Sequence, residues 1–508
     1  MQKSLLVLAC ALTAPTFAAS CDSLASLALP DTTITAAQLV PAGQFSQPGQ
    51  TAKGKAANAY KELPEFCRVT ATLKPSSDSD IKVEFWLPTS NWNKKLQSVG
   101  NGGWAGVISY SALADAVKAG YAGASTDTGH VGGSGSFALD HPEKLIDFSW
   151  RSEHEMTVKA KAVVQAFYGS APRLSYWNGC STGGRQGLME AQRYPEDFDG
   201  IIAGAPANDH LYLHAGDMAR MIDIFKDPAG LIPKAKQDLL AKSVMNTCDA
   251  IDGVNDNIIT NPKACKFDPA VLQCKAGDGA DCLTAKQVST AKRLYADAKN
   301  SKGQLIFPGY AYGGESGYSV MRGVTALGPG PDIEANPVPG DLQLGTYRYL
   351  AHQDANWDWH SFNIDTDPAL AKSKGGSIDA VATDMSKFKA HGGKLILFHG
   401  WADPAIQPEH TVNYYNSVLD KMGKNQDSWM KLFMVPGMGH CSGGAGPNQV
   451  DWMGTLESWR EKGESPTSII GKGTIAGTPM TRPICPHPQV ATYKGSGDSN
   501  SADSFVCK

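Results

Sequence analysis

An α/β core built on a largely parallel sheet, broken by one large insertion, is the fold class this 508-residue sequence predicts. Three observations predict it. Short apolar segments alternate with helical stretches up to about Ala205, and again from Lys394 onward. Between these blocks, from about Ala207 to Lys374, the chain turns rich in Gly, Pro, Asp, Tyr and Trp and carries four closely set cysteines. The third is the run Gly179-Cys180-Ser181-Thr182-Gly183, which joins a strand-like to a helix-like segment. There a tight turn would hold a serine hydroxyl proud of a sheet edge.

The elements follow in chain order. Residues 1–20 begin Met1-Gln2-Lys3, run through an apolar stretch at 5–12 and end in small residues around Ala18 to Ser20. That is the pattern of a secretory signal peptide, too short in its apolar part to span a bilayer, with cleavage near Ala18. Cys21 sits in only a poor lipoprotein box, so no lipid anchor is expected. The predicted location is secreted or periplasmic. Of eleven cysteines Cys10 leaves with the signal, and the other ten, with no C-x-x-C pair among them, read as five disulfides. Strands are predicted at 68–73, 81–87, 96–99, 122–125, 174–177 and 200–203, with a helix at 153–167 ahead of the serine turn. Strands resume at 394–398 and 431–435. A catalytic domain of 21–206 and 375–508, with 207–374 inserted as a lid, accounts for this order better than a tandem array. A net charge of −4 and no basic block argue against nucleic acid or an anionic membrane as the main partner.

A serine hydroxyl attacks poorly until a histidine removes its proton, and a carboxylate must orient that histidine. Both partners should lie in loops just past strand ends. Asp403 follows strand 394–398, and His440 follows strand 431–435 in the loop Pro436-Gly437-Met438-Gly439-His440. The order Ser181, Asp403, His440 is that of an α/β-hydrolase. His399, His410 and Glu409 are competitors near Asp403. Cysteines beside the serine and the histidine, Cys180 and Cys441, could bond and fix the nucleophile beside its base. The oxyanion would meet the N–H of Thr182 and one from the loop Gly100-Asn101-Gly102-Gly103-Trp104, with Gly103 the chosen residue.

Within the insertion, Asp249, Asp252 and Asp256 crowd one short turn. Their repulsion would be relieved by a hard cation bound through oxygens. With the backbone carbonyls of Val254 and Ile258 they would give five of the six to eight ligands calcium takes. Cys248 and Cys265 bracket the turn. The ligands lie in the insertion and not beside Ser181, so a structural ion is expected.

On Cys180-Ser181, Asp403, His440-Cys441, Gly102-Gly103-Trp104 and Ser125-Thr126-Asp127-Thr128-Gly129-His130, the mature chain resembles the tannase and feruloyl esterase family, which includes hydrolases of mono(2-hydroxyethyl) terephthalate. The resemblance implies an α/β-hydrolase core with a lid, and calcium at Asp249, Asp252, Val254, Asp256 and Ile258. It also implies disulfides Cys21–Cys67, Cys180–Cys441, Cys248–Cys265, Cys274–Cys282 and Cys485–Cys507. Three residues after the Asp, the terephthalate-ester enzymes carry an aromatic against the substrate ring; Ile406 stands here, which counts against that substrate. Tyr310, Tyr312, Tyr318, Trp357, Trp359 and Phe362 make the lid aromatic, and a flat acyl group would stack there.

The leading expectation is a secreted serine esterase for small or polysaccharide-linked phenolic esters, feruloyl or other hydroxycinnamoyl esters first and galloyl esters second. Acyl transfer to an alcohol would use the same groups. A non-catalytic binding protein on this scaffold usually lacks a triad member, and all three are present.

Overall fold

The computed structural model describes residues 20–49, 60–322, 339–475 and 477–508. Residues 1–19, which hold most of the predicted signal peptide and Cys10, lie outside them. Before the insertion come β1 (Thr32–Val40), β2 (Phe66–Leu73), β3 (Ile81–Pro88), β4 (Lys95–Val99), β5 (Ala122–Thr126), β6 (Leu174–Cys180) and β7 (Gly200–Gly204). A small hairpin of β8 (Ala298–Lys299) and β9 (Leu305–Phe307) lies within the insertion, and β10 (Lys394–Gly400) and β11 (Met430–Val435) follow it. One nine-stranded sheet runs β1-β2-β3-β5-β4-β6-β7-β10-β11. It is antiparallel from β1 to β5 in that order and parallel from β5 to β11.

Every predicted strand is present. The one strand of the large sheet not predicted, β1, is its edge. Its register slips between Ile34 and Ala36, and most of its residues are partly or fully exposed, so no alternating apolar face marks it.

Helices cover both faces, as the buried runs of a parallel sheet require. On one face, α2 (Ser152–Tyr168), α3 (Thr182–Arg193) and α8 (Pro408–Met422) bury Met156, Leu188 and Val412 among residues such as Val83, Leu96 and Ile201. On the other, α1 (Tyr110–Lys118) sets Leu113 and Val117 against Phe66 and Trp86, while Trp459 packs near Ile202 and Phe398.

Between β7 and β10 the described residues give the large sheet no strand. They form α4 (His210–Phe225), α5 (Lys234–Cys248), α6 (Ala285–Tyr295) and α7 (Asp367–Gly375) around their own apolar cluster, which Trp104 and Phe148 join from below. Tyr318, Trp357 and Trp359 are buried in that cluster and Phe362 packs on it.

The ten described cysteines pair as Cys21–Cys67, Cys180–Cys441, Cys248–Cys265, Cys274–Cys282 and Cys485–Cys507. No helix among the described residues is long and apolar enough to cross a membrane.

Candidate active site

Ser181 stands at the turn between β6 and α3 with φ 63° and ψ −125°. A side chain rarely adopts positive φ, so the surroundings must hold it there. They do so through backbone. The Ser181 N–H donates to Gly204 O at 2.9 Å, and its carbonyl accepts from Ala207 N–H at 3.2 Å. Glycine is obligatory around the turn: a Cβ on Gly179 would lie 2.4 Å from Gly183 O, and one on Gly100 would lie 2.5 Å from Gly183 Cα.

Asp403 is fully buried in the loop after β10. Its Oδ1 accepts the N–H groups of Ala405 (2.7 Å) and Ile406 (3.0 Å), which fixes the carboxylate plane. Its Oδ2 accepts from His440 Nδ1 at 2.8 Å. The imidazole Nε2 is then the free base. Burial lowers His440, but the Asp403 charge and hydrogen bond outweigh it and leave the imidazole raised above its ordinary value. Burial likewise pushes Asp403 up, and the attraction of His440 with hydrogen bonds from His399 and His440 holds it well below the usual carboxylate range. Ser181, His440, Cys180, Cys441 and Gly103 line one open groove of about 420 Å³.

Of the competitors, Glu409 pairs with Lys263 at 2.7 Å, and His410 stacks on Phe307 at 4.5 Å. His399 is a second partner of Asp403. Its Nε2 faces Asp403 Oδ2 at 3.0 Å and Ile406 O at 3.1 Å, both acceptors, so that nitrogen carries the proton. Nδ1 then accepts from Thr411 Oγ1 at 2.7 Å. Sequence reasoning treated His399 as a rival base; its position four residues before Asp403 was the only signal.

Thr182 opens α3, where its N–H has no intrahelical acceptor. Its Oγ1 donates to Gly103 O at 3.0 Å, which ties the two proposed oxyanion residues together. The glycine loop is braced from two sides. Gln186 binds Asn101 through Nε2 to Oδ1 (2.5 Å) and Oε1 from N–H (3.2 Å), and Gln186 Nε2 also donates to the buried Glu153. His130 Nε2 meets Trp104 O at 2.7 Å, so the early Asp127–His130 segment acts as a buttress.

A second, much tighter cavity leaves Ser181 on the lid side, with a volume of about 40 Å³. Ile406, Leu213, Met221, Val320 and Leu342 line it, and Gly103, Ser181 and Thr182 form its entrance. Of the six lid aromatics only Tyr310 lines it. Tyr312 lines a further groove that His440 also lines, whereas Tyr318, Trp357 and Trp359 are buried in the lid's own core and Phe362 packs on it. Sequence cannot separate a ring in a core from a ring in a cleft.

The acidic turn lies between the lid and the catalytic half. Asp249 accepts from the N–H groups of Asn257 (2.9 Å) and Ile258 (3.1 Å), Asp252 from Val254 N–H (3.1 Å), and Asp256 pairs with Arg482. Burial pushes Asp256 up to about 6 despite Arg482, with Asp252 and Asp249 repelling it. The all-oxygen donor set and this repulsion fit a hard cation, although the three carboxylates do not gather within 4.8 Å of one another. Ile258 also packs beneath the histidine loop, where a Cβ on Gly437 would sit 3.4 Å from its Cγ2.

A profile of the family described as tannase and feruloyl esterase matches residues 67–508. An uncharacterized esterase of Xanthomonas campestris pv. campestris is 34% identical, covering 99% of this chain and 94% of its own. A probable feruloyl esterase B-1 of Aspergillus flavus is 32% identical, covering 97% and 96%. The crystal structure of feruloyl esterase B from Aspergillus oryzae superposes with a TM-score of 0.87 at 27% identity, covering 96% of this chain and 99% of that one. With this sheet order, serine turn and paired cysteines, the chain belongs to the tannase and feruloyl esterase family and is a carboxylic ester hydrolase.

Proposed function

We propose that the protein is a secreted serine esterase that hydrolyses esters of phenolic acids, with feruloyl and other hydroxycinnamoyl esters first and galloyl esters second. The observation that carries this reading is Ser181, held at positive φ where the groove of His440 meets the lid cavity. The feruloyl esterase names of the Aspergillus relatives favour the hydroxycinnamoyl choice.

In this reading His440 Nε2 takes the proton as Ser181 Oγ bonds to the acyl carbon. The carbonyl π pair moves to oxygen, where the N–H groups of Thr182 and Gly103 receive the charge. Collapse breaks the bond to the alcohol oxygen, which receives the proton from His440. Water then repeats the sequence on the acyl-enzyme, releasing the acid and restoring Ser181. The acyl group occupies the enclosed lid-side cavity against Ile406, and the alcohol leaves through the open groove that holds His440. Asp403, fixed by two backbone N–H groups and by His399, keeps the base in the right tautomer. The acidic turn would hold calcium through Asp249, Asp252, Asp256 and the carbonyls of Val254 and Ile258, as a structural ion.

The test is a panel of methyl ferulate, methyl gallate, chlorogenate and a terephthalate monoester, run on wild type and Ser181→Ala. Serine-dependent turnover, highest on the hydroxycinnamoyl esters, is expected. Preference for gallate would favour the second reading, and turnover independent of Ser181 would refute the mechanism.

A further inference from the structure

One face of α4 lines the lid-side cavity: Ala207 just before it, then His210, His214, Asp217 and Met221. The spacing of i, i+4, i+7 and i+11 puts these side chains in one row, climbing away from Ser181 at about 1.5 Å per residue. Its mouth is Ser181, Thr182 and Gly103, and its walls are mostly aliphatic. The far end is polar, and its polar groups are not all satisfied. Gln343 donates through Nε2 to Asp217 Oδ2 at 3.0 Å, and its Oε1 has no partner. Gln343 is 7% exposed. Nearer Ser181, both ring nitrogens of His210, 1% exposed, are also without partners. Buried polar atoms are nearly always paired, so an unpaired acceptor on a residue that lines a cavity is a place where a ligand's hydroxyl supplies the partner.

Resting on the esterase reading above, the geometry points to the closed end of this cavity as the receptor for a neutral phenolic hydroxyl at the ring position farthest from the ester, its O–H donated to Gln343 Oε1 beside Asp217. The same end disfavours a carboxylate. Asp217 already has its counter-ion, Arg220, whose NH1 lies 3.6 Å away and whose NH2 donates to the carbonyls of Phe307 and Pro308, while Nε and NH1 make no hydrogen bond. Burial keeps His210 and His214 neutral, His214 down to about 3. Among the described residues lining the cavity there is no Lys or Arg. An incoming anion would therefore be buried beside Asp217 with one guanidinium, that of Arg220, shared between two carboxylates. A hydroxyl needs only an acceptor, and one is waiting.

The experiment compares kcat/KM for methyl 4-hydroxycinnamate, methyl cinnamate, methyl 4-methoxycinnamate and methyl 4-carboxycinnamate on wild type and Gln343→Leu, with 4-nitrophenyl acetate as a ring-independent ester. Wild type should favour the 4-hydroxy ester over the unsubstituted and methoxy esters by about 10²-fold or more, because an unpaired buried acceptor penalises the analogue lacking the donor. The carboxy ester should be the poorest. Gln343→Leu should bring the hydroxy-to-unsubstituted ratio to within a few-fold of one. Equal wild-type rates on the hydroxy and unsubstituted esters, preference for the carboxy ester, or an unchanged ratio in Gln343→Leu would each overturn the assignment. Should that variant not fold, the wild-type series alone decides. Turnover of 4-nitrophenyl acetate without 4-hydroxy selectivity would sink this inference only; no Ser181-dependent turnover of any ester would sink the esterase reading and this inference together.

Discussion

Removing the Cys180–Cys441 bridge by the double substitution Cys180→Ala/Cys441→Ala should cost catalysis more than its effect on folding explains. The two Cα atoms lie 5.9 Å apart and close a separation of 261 residues, so the chain-entropy model gives at most about 5.5 kcal/mol of stability. That figure is an upper bound, because smaller bridges within the loop already restrict the unfolded chain. The nucleophile turn does not need the bridge: Ser181 keeps its bonds to Gly204 and Ala207. Nor does the acid–base pair, since His440 stays bonded to Asp403. What the bridge adds to the sheet pairing is a direct tie of one unit's loop against the other's. β6 and β11 are three strands apart, about 14 Å at ordinary spacing, and their loops must meet across that span. A drift of about 1 Å between base and nucleophile is worth on the order of 10² in rate. The expected result is a kcat about 10²-fold down, with KM little changed, measured well below the variant's own melting transition. Circular dichroism and a thermal melt would establish how much is folded. Wild-type kcat in a fully folded double variant would refute the positional role and leave the bridge a staple.

Ser181→Ala and His440→Ala should each abolish turnover, and the double variant should be no worse than either, as for residues acting as a unit; additive losses would separate them. The acid limb of kcat/KM should lie above about 6.5, because His440 must be neutral to act and is raised in the fold; Asp403→Asn should lower both limb and rate, the latter by about 10³–10⁴. For stability the signs differ. Asp403, held low, contributes fully above about 4 and loses that contribution as pH falls through its native value, whereas His440, raised, contributes fully below about 6.5 and loses it as pH rises through its native value. The pair's support is therefore greatest between about 4 and 6.5, which melts across pH would test. Calcium at 100-fold its dissociation constant should add about 2.7 kcal/mol, and chelation should lower both Tm and kcat, since Ile258 packs under the histidine loop; a Tm indifferent to calcium and chelator would exclude the ion.

What was legible in the chain was whatever repeats or sits next to its own cause. Parallel strands buried on both faces write continuous apolar runs, and the serine turn writes its glycines, because no other residue clears Gly183. The Asp403 and His440 loops follow such runs and were found for that reason. Edge strand β1 lacked a buried face and left no mark. His399 could be seen only as a nearby histidine, because its choice between base and buttress depends on which way a buried ring faces. The row His210, His214, Asp217, in a helix whose other charged residues are Arg220 and Asp223, is a readable signal that competes with the lid's aromatics. Gln343 pairs with that row from 126 residues away, and no local pattern reports such a meeting.

The division of labour around Ser181 bears on how such an enzyme diversifies. In the proposed mechanism nucleophile, base and oxyanion donors all belong to the sheet and its loops, whereas the far end of the proposed acyl cavity is written on a single inserted helix and one residue facing it. Changes at His214, Asp217 and Gln343 therefore leave the proposed reacting groups alone, whereas His210 packs on Trp104 at 4.7 Å, one residue from Gly103. A library confined to those three codons would sample new acyl tastes on an unaltered engine, and descendants of one ancestral gene would part ways in diet by drift along a helix.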